Sequence, residues 1–156
     1  MTEFLWPALV AFAASLVPGL ELRAGIPTGV ALGLPTPVAV IVSVFGNVLQ
    51  ILAALYLIER AYRYAERFPR VHAWLTKTEN QVKRHRHLIT RFGWIGIALF
   101  VLLPLPGTGV WGGAVLARLL RLSVTGIWLG LSTGIAVSGV LVGAAVHGAF
   151  TLIRLW

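Results

Sequence analysis

Two ionisable side chains, Glu21 and Arg23, stand between apolar runs in the segment PGLELRAGIP. Ionisable groups at membrane depth are costly unless they are paired or hydrated, so in such a place they indicate function. On a helix, residues two positions apart point about 200° away from each other. Glu21 and Arg23 are therefore not expected to pair only with each other.

Each of the two groups has its own chemistry. Glu21 is a candidate proton carrier, because burial favours the neutral form of a carboxyl group. Arg23 is a candidate ligand for a phosphate or another anion, because its planar guanidinium offers a fork of N–H donors. The structural alternative is that both residues cap exposed backbone at a broken helix, or that both lie in a surface loop.

Two further groups complete the candidate site. Asn47 and Gln50 share a helix face at i, i+3, where they either line the same polar cavity or hydrogen-bond the broken backbone. In LPLPGTGVWGGA, the glycines allow close approach of backbone, and the start of the next helix offers N–H groups to an anion. Tight packing of small residues is the alternative for this segment. The predicted substrate- or proton-binding residues are Glu21, Arg23, Asn47, Gln50, Gly107, Thr108 and Gly109.

The composition argues against a water-soluble globule. The 156 residues are 58% apolar and only 12% charged, and the mean hydropathy is +0.86; a soluble domain carries about 25% charged residues. The absence of Cys excludes disulfides, thiolate catalysis and Cys-based zinc sites. The histidines are not spaced as metal ligands, and no nucleotide-binding glycine loop or catalytic triad is present. The sequence therefore predicts a membrane protein that is not an enzyme and has no metal or cofactor.

The positive charge is concentrated in one segment. Nine of the thirteen Lys and Arg residues lie between positions 60 and 91. By the positive-inside rule this segment is cytoplasmic, in a multi-pass protein of the inner (plasma) membrane. Its apolar stripes at helical spacing predict amphipathic helices, either at the lipid headgroups or packed on the protein itself. Membrane lipids are the expected partners, and nucleic acid is not.

Apolar segments of two lengths are present. Residues 38–58 and 124–146 are uncharged and reach about 31 and 34 Å as helices, enough to cross a bilayer. Four other apolar runs reach only about 15–21 Å each as helices: 5–17, 22–34, 92–105 and 108–117. One Pro-Gly pair joins the first run to the second, and another joins the third to the fourth. We predict re-entrant hairpins over 5–34 and 92–120. The alternative is six short spans, with Glu21 and Arg23 in a cytoplasmic turn.

The predicted fold is an all-α integral membrane protein with one domain over 1–156. The first repeat covers 1–58, the basic amphipathic segment covers 59–91, and the second repeat covers 92–146. Each repeat is a hairpin followed by one span, which requires the second to be inverted relative to the first and puts both termini outside. Inverted repeats with broken helices are typical of transporters. In this arrangement the two hairpin tips meet near the midplane.

Several motifs connect the chain with known membrane proteins. ELRAGIP (21–27), ALG (31–33), GN (46–47), RFG (91–93) and PLPGTG (104–109) resemble the putative small multi-drug export protein family. In that family the first motif is usually ELRGAIP, and the exchange at Ala24-Gly25 is expected to disturb the turn little. More distantly, the chain resembles the DedA (VTT-domain) membrane proteins, which have two facing re-entrant hairpins. That resemblance implies lipid-carrier flipping or lipid scrambling, often with proton coupling.

The expected function is a proton-coupled secondary transporter or flippase for an amphiphilic substrate such as a lipid phosphate. A hydrophobic-drug exporter is a second hypothesis, and it would need a wide apolar cavity rather than Arg23. A third is a passive scramblase or a membrane-organising protein, which would tolerate the loss of both charges. A homodimer is also expected, because two hairpins and two spans barely enclose a cavity.

Overall fold

The computed structural model describes residues 4–65, 67–69, 73, 86–103 and 109–155, and these residues form helices without any strand. The element order is short, short, long, and then short, short, long again, as the sequence predicts. The helices are α1 (Leu5–Ser15), α2 (Glu21–Ala31), α3 (Thr36–Ala65), α4 (Arg86–Leu102), α5 (Val110–Leu119) and α6 (Val124–Leu155).

The two long helices contain the predicted spans. Helices α3 and α6 have 30 and 32 residues, or about 45 and 48 Å of helix, and both are apolar enough to cross a membrane. Many of their large apolar side chains face outwards: Ile41 is 68% exposed, Val140 65% and Ile153 72%. Exposed apolar surface on this scale marks an interaction surface, and acyl chains suit it.

Both long helices extend beyond the predicted ends. The basic amphipathic segment was predicted to be helical from residue 59, and α3 continues without a break from the apolar span to Ala65. The first basic turns are therefore a continuation of the helix that contains the span. The second predicted stripe, at residues 71–82, lies outside the described residues except for Ala73.

The short helices come in two packed pairs, α1 with α2 and α4 with α5. Helices α1 and α2 have 11 residues each, about 16 Å, and Gly19 in the turn between them has φ +84°. Helix α4 has 17 residues and begins inside the basic segment, six positions before the predicted limb. The Pro-Gly pair between α4 and α5 lies outside the described residues.

The chain forms two compact units, and each takes part of both long helices. Unit 1 consists of residues 1–50 and 135–156, and unit 2 of residues 51–134. Each unit therefore contains one pair of short helices together with one part of α3 and one part of α6.

Unit 1 is built around close contact of α2 with α1 and α3. A Cβ atom on Gly25 would lie 2.7 Å from Ser43 Oγ and 2.8 Å from the Ala11 carbonyl oxygen, and it would also overlap Ser15 Oγ. One turn later, a Cβ on Gly29 would come within 3.1 Å of both Ala11 and Ala39. Small residues at such positions let helix backbones approach closely.

Gly25 thus occupies a space with no room for a side chain. Residues 24 and 25 lie inside α2 and not in a turn, so the order Ala24-Gly25 decides which position meets α1 and α3. The expectation that the exchange disturbs a turn little stays untested, but the two positions belong to a helix. In unit 2, Gly130 and Gly134 of α6 make comparably close contacts with α4.

Gly25→Ala is predicted to destabilise the protein by about 1–3 kcal/mol, because the new methyl group overlaps backbone and hydroxyl oxygens. Gly148→Ala in α6 is the matched control, since its Cβ would meet nothing within 4 Å; it should be neutral, or stabilising by about 0.5–1 kcal/mol. Thermal unfolding of both variants in one detergent tests this. Equal effects of the two substitutions would contradict the packing described for α2.

Candidate functional site

Buried polar side chains gather in unit 1. Of the described residues, those that are polar or charged and buried are Ser15, Glu21, Ser43, Asn47, Gln50 and Ser138, and all of them belong to this unit. Five of these come from α1, α2 and α3 and are called the polar cluster below: Ser15, Glu21, Ser43, Asn47 and Gln50.

Glu21 and Asn47 lie one helical turn beyond the close contacts of α2 with α3. Gly29 faces Ala39, and Gly25 faces Ser43, so the two helices run antiparallel at this contact. Glu21 is four residues before Gly25, Asn47 is four residues after Ser43, and both side chains are buried.

Glu21 combines burial with an unusual backbone. It is only 4% exposed, it begins α2, and its φ is +54°. The left-handed region costs a residue with a Cβ about 1–2 kcal/mol, and strain of this kind concentrates at functional sites. Its place in the first turn also puts the carboxyl group near the positive end of the helix dipole. Arg23 is half-buried.

Gln50 contacts the backbone where α1 ends. Its Nε2 donates a hydrogen bond of 3.0 Å to the carbonyl oxygen of Leu16, the C-cap residue of α1. The last carbonyl groups of a helix have no partner within the helix, so this amide supplies one. Of the two roles considered for Gln50 from the sequence, this contact corresponds to hydrogen bonding with broken backbone. It joins α3 to the end of α1.

Other polar atoms of the cluster have no hydrogen-bond partner in the part of the chain that the structure describes. These buried atoms are both amide atoms of Asn47, the Ser43 hydroxyl and Gln50 Oε1. Ser43, Asn47 and Gln50 follow one another at i, i+4 and i+7, so they form one stripe of α3. The unpaired atoms include both donors and acceptors, which suits water or the polar group of a ligand.

Ser15 and Ser43 were not identified from the sequence. Serine in an apolar helix often bonds to its own backbone, and Ser15 does so, donating to the Ala11 carbonyl oxygen at 2.6 Å. Ser43 makes no such bond. The helical spacing of Ser43 with Asn47 and Gln50 was the feature that would have revealed it.

Much of the second predicted tip lies outside the described residues, namely Gly107 and Thr108. Gly109 is the N-cap of α5, has extended backbone (φ −75°, ψ −153°) and contributes no side-chain cap. In the first turn of α5, Trp111 Nε1 is buried without an acceptor. The expected approach of the two hairpin tips remains a prediction.

Unit 2 contains an ion-pair group centred on Glu59. Arg118 Nε of α5 lies 2.9 Å from Glu59 Oε2 of α3, and Arg63 Nε lies 3.3 Å from Glu59 Oε1. The Arg118 guanidinium carbon is 4.2 Å from the centre of the Tyr62 ring. These contacts join the end of α5 to the start of the basic segment.

Metal ligation has no support among the described residues, where no group of three His, Cys, Asp or Glu side chains comes together. His147 of α6 instead contacts Thr36 at the start of α3, with Nδ1 and Oγ1 separated by 3.4 Å. A cavity of about 380 Å³ lies beside this contact, and its lining is mostly apolar.

Comparison with known proteins gives one assignment. Residues 21–141 match the family model described as putative small multi-drug export protein. The match begins at Glu21 and includes the whole of α2 and α3. No match to the chain was found among curated proteins or solved structures.

Asn47 and Gln50 are predicted to respond oppositely to apolar substitution. Asn47→Leu removes two buried polar atoms that have no partner among the described residues, so it should leave the free energy of unfolding unchanged or raise it. Gln50→Met removes the donor of the Leu16 carbonyl, so it should lower the free energy of unfolding by about 1–3 kcal/mol. Thermal unfolding of the two variants in one detergent gives the comparison. If Asn47→Leu were as destabilising as Gln50→Met, the Asn47 amide would have to be bonded in the native protein.

Proposed function

The chain belongs to the putative small multi-drug export protein family, and from this premise we propose that it is a small secondary transporter or flippase. Its substrate is an amphiphilic anion, such as a lipid phosphate, and transport is coupled to protons through Glu21. The observation that carries the proposal is the burial of both Glu21 and Asn47 in unit 1, where the Asn47 amide has no hydrogen-bond partner among the described residues.

The export family and the two long apolar helices together indicate a membrane protein. We place it in the inner (plasma) membrane with the basic segment in the cytoplasm, by the positive-inside rule. The contact of Arg118 with Glu59 supports this orientation. This contact puts the end of the second hairpin beside the start of the basic segment, so both would lie on the same side of the membrane.

The proposed architecture is an inverted repeat of re-entrant hairpins. Helices α1, α2 and α5 have 10 or 11 residues each, about half of what a bilayer requires. A hairpin followed by one crossing, repeated once, gives two halves of opposite orientation. The distant DedA similarity rests on the sequence motifs alone.

In the proposed cycle, Glu21 binds and releases the proton, and Arg23 binds the anionic head group. Water in the polar cluster connects the carboxyl group with solvent, since the unpaired atoms of Ser43 and Asn47 offer it both donors and acceptors. Alternating exposure of the hairpin tips moves the substrate. No chemical conversion and no cofactor are involved, and a homodimer would complete the walls of the path.

Flipping of a fluorescent phospholipid or undecaprenyl-phosphate analogue in proteoliposomes tests the proposal. Wild type should show transport that a proton gradient accelerates. Glu21→Gln should abolish the response to the gradient, because the amide cannot exchange the proton. Arg23→Ala should reduce transport to the rate of empty liposomes, and Arg23→Lys should fail to restore it fully, because lysine lacks the planar fork.

Glu59→Gln is the matched control for this experiment. It removes the same charge from unit 2, so flipping and its response to the gradient should persist. Flipping that ignores the gradient and survives both Glu21→Gln and Arg23→Ala would instead identify a passive scramblase or membrane organiser. Export of an uncharged drug that survives Arg23→Ala would favour the drug exporter.

Labelling of single cysteines distinguishes re-entrant hairpins from short spans, since the chain has no Cys of its own. Leu20, Leu32 and Phe68 are exposed and accept the probe. An impermeant thiol reagent should label Leu32→Cys and Phe68→Cys from opposite sides of the membrane. Leu20→Cys, in the turn of the first hairpin, should not be labelled from the side that labels Phe68→Cys. Labelling of both from one side would establish the six-span alternative.

A further inference from the structure

The cytoplasmic end proposed for α3 carries alternating arginine and tyrosine side chains. Tyr56, Arg60 and Tyr64 follow one another at steps of four residues, and Arg63 lies three residues after Arg60, so these four share one side of the last turns of α3. Arg67 follows in the turn after the end of the helix. The five residues are called the arginine–tyrosine face. All five residues are exposed: Tyr56 by 62%, Tyr64 by 61%, and the Arg63 side chain by 76%.

Tyrosine rings lie beside two of these guanidinium groups. Arg60 Nη1 donates to the Tyr56 hydroxyl at 3.1 Å, and the Arg60 guanidinium carbon lies 6.0 Å from the ring centre. The Arg67 guanidinium carbon lies 5.9 Å from the ring centre of Tyr64. Contact with a ring fixes the plane of a guanidinium while its N–H edges remain available for an anion.

The local charge is positive. Among the described residues, the Glu59 carboxylate is shared by Arg63 and Arg118, and Arg60 and Arg67 add two further positive charges; with Glu66 counted from the sequence, four arginines accompany two glutamates. A cavity of about 680 Å³ lies against the arginine–tyrosine face, and its described lining also includes Glu59 and Leu55. This volume is within the range of about 300–1,000 Å³ that is usual for ligand sites.

The position of the arginine–tyrosine face along α3 indicates which kind of anion it would bind. The uncharged stretch 38–58 ends where the face begins, and its last turns expose Leu52 and Leu57. Tyrosine and arginine at the end of an apolar span are typical of the headgroup level. A ligand there would meet apolar side chains on one side and guanidinium groups on the other.

From this placement we propose that the arginine–tyrosine face of unit 2 binds the phosphate group of an anionic membrane lipid, with the acyl chains along Leu52 and Leu57. Arg60 and Arg67 bind the phosphate oxygens through paired N–H donors, which is the strongest form of such contacts. This lipid site is separate from the polar cluster of unit 1 and does not depend on transport.

The test measures the thermal unfolding of the purified full chain in a neutral detergent. Three additions are compared: a short-chain phosphatidylglycerol, a short-chain phosphatidylcholine and inorganic phosphate. We expect phosphatidylglycerol to raise the unfolding temperature clearly more than either of the others. An equal shift with inorganic phosphate would assign the face to a soluble phosphate and overturn the lipid assignment, and no shift with any addition would overturn the site.

Two double variants separate a built site from general positive charge. Arg60→Gln with Arg67→Gln should lose the phosphatidylglycerol shift, and so should Arg60→Lys with Arg67→Lys, because lysine keeps the charge but not the planar fork. Lys77→Gln with Lys83→Gln removes the same charge elsewhere in the basic segment and should keep the shift. Retention of the shift in the lysine variant, or its loss in the Lys77 and Lys83 control, would show attraction by net charge only and contradict the proposal.

Discussion

The close contact of α2 with α1 and α3 at Gly25 is the constraint on which unit 1 depends. Gly25 has no side chain, and the space around it has no room for one. The three helices therefore lie close enough together for polar groups of one to reach the backbone of another. The Gln50 amide can then reach the carbonyl at the end of α1. In an apolar surrounding, backbone groups without a partner cost several kcal/mol each, so a helix as short as α1 needs such a donor. One missing methyl group thus allows α1 to end inside the unit.

The same contact fixes the register that defines the candidate site. Gly25 lies against Ser43 and Gly29 against Ala39, and the next turn of each helix carries a buried polar residue, Glu21 in α2 and Asn47 in α3. An apolar residue in place of Asn47 would improve stability, since buried polar atoms without partners are costly. The retention of a polar stripe beside a buried carboxyl group is therefore explained better by binding or proton transfer than by packing. Proteins commonly give up stability at functional sites in this way.

The long helices are predictable from the sequence because about 20 uncharged apolar residues are distinctive. The predicted span ends before the first charge, Glu59, whereas the helix does not. Glutamate, arginine and alanine are good helix formers, so the helix continues to Ala65. Glu21 and Asn47 were each recognisable from their cost in an apolar segment, but the close contact of α2 with α3 at Gly25 was not. That contact depends on packing between helices, which local periodicity does not encode.

The proposed proton coupling depends on a route for water to Glu21. The carboxyl group is buried at the start of α2, and Ser43 and Asn47 of α3 carry buried atoms without a hydrogen-bond partner among the described residues. Such atoms suit ordered water, whereas apolar side chains at the same positions would exclude it. The polar stripe of α3 is therefore the part of unit 1 on which proton exchange at Glu21 depends in the proposed cycle.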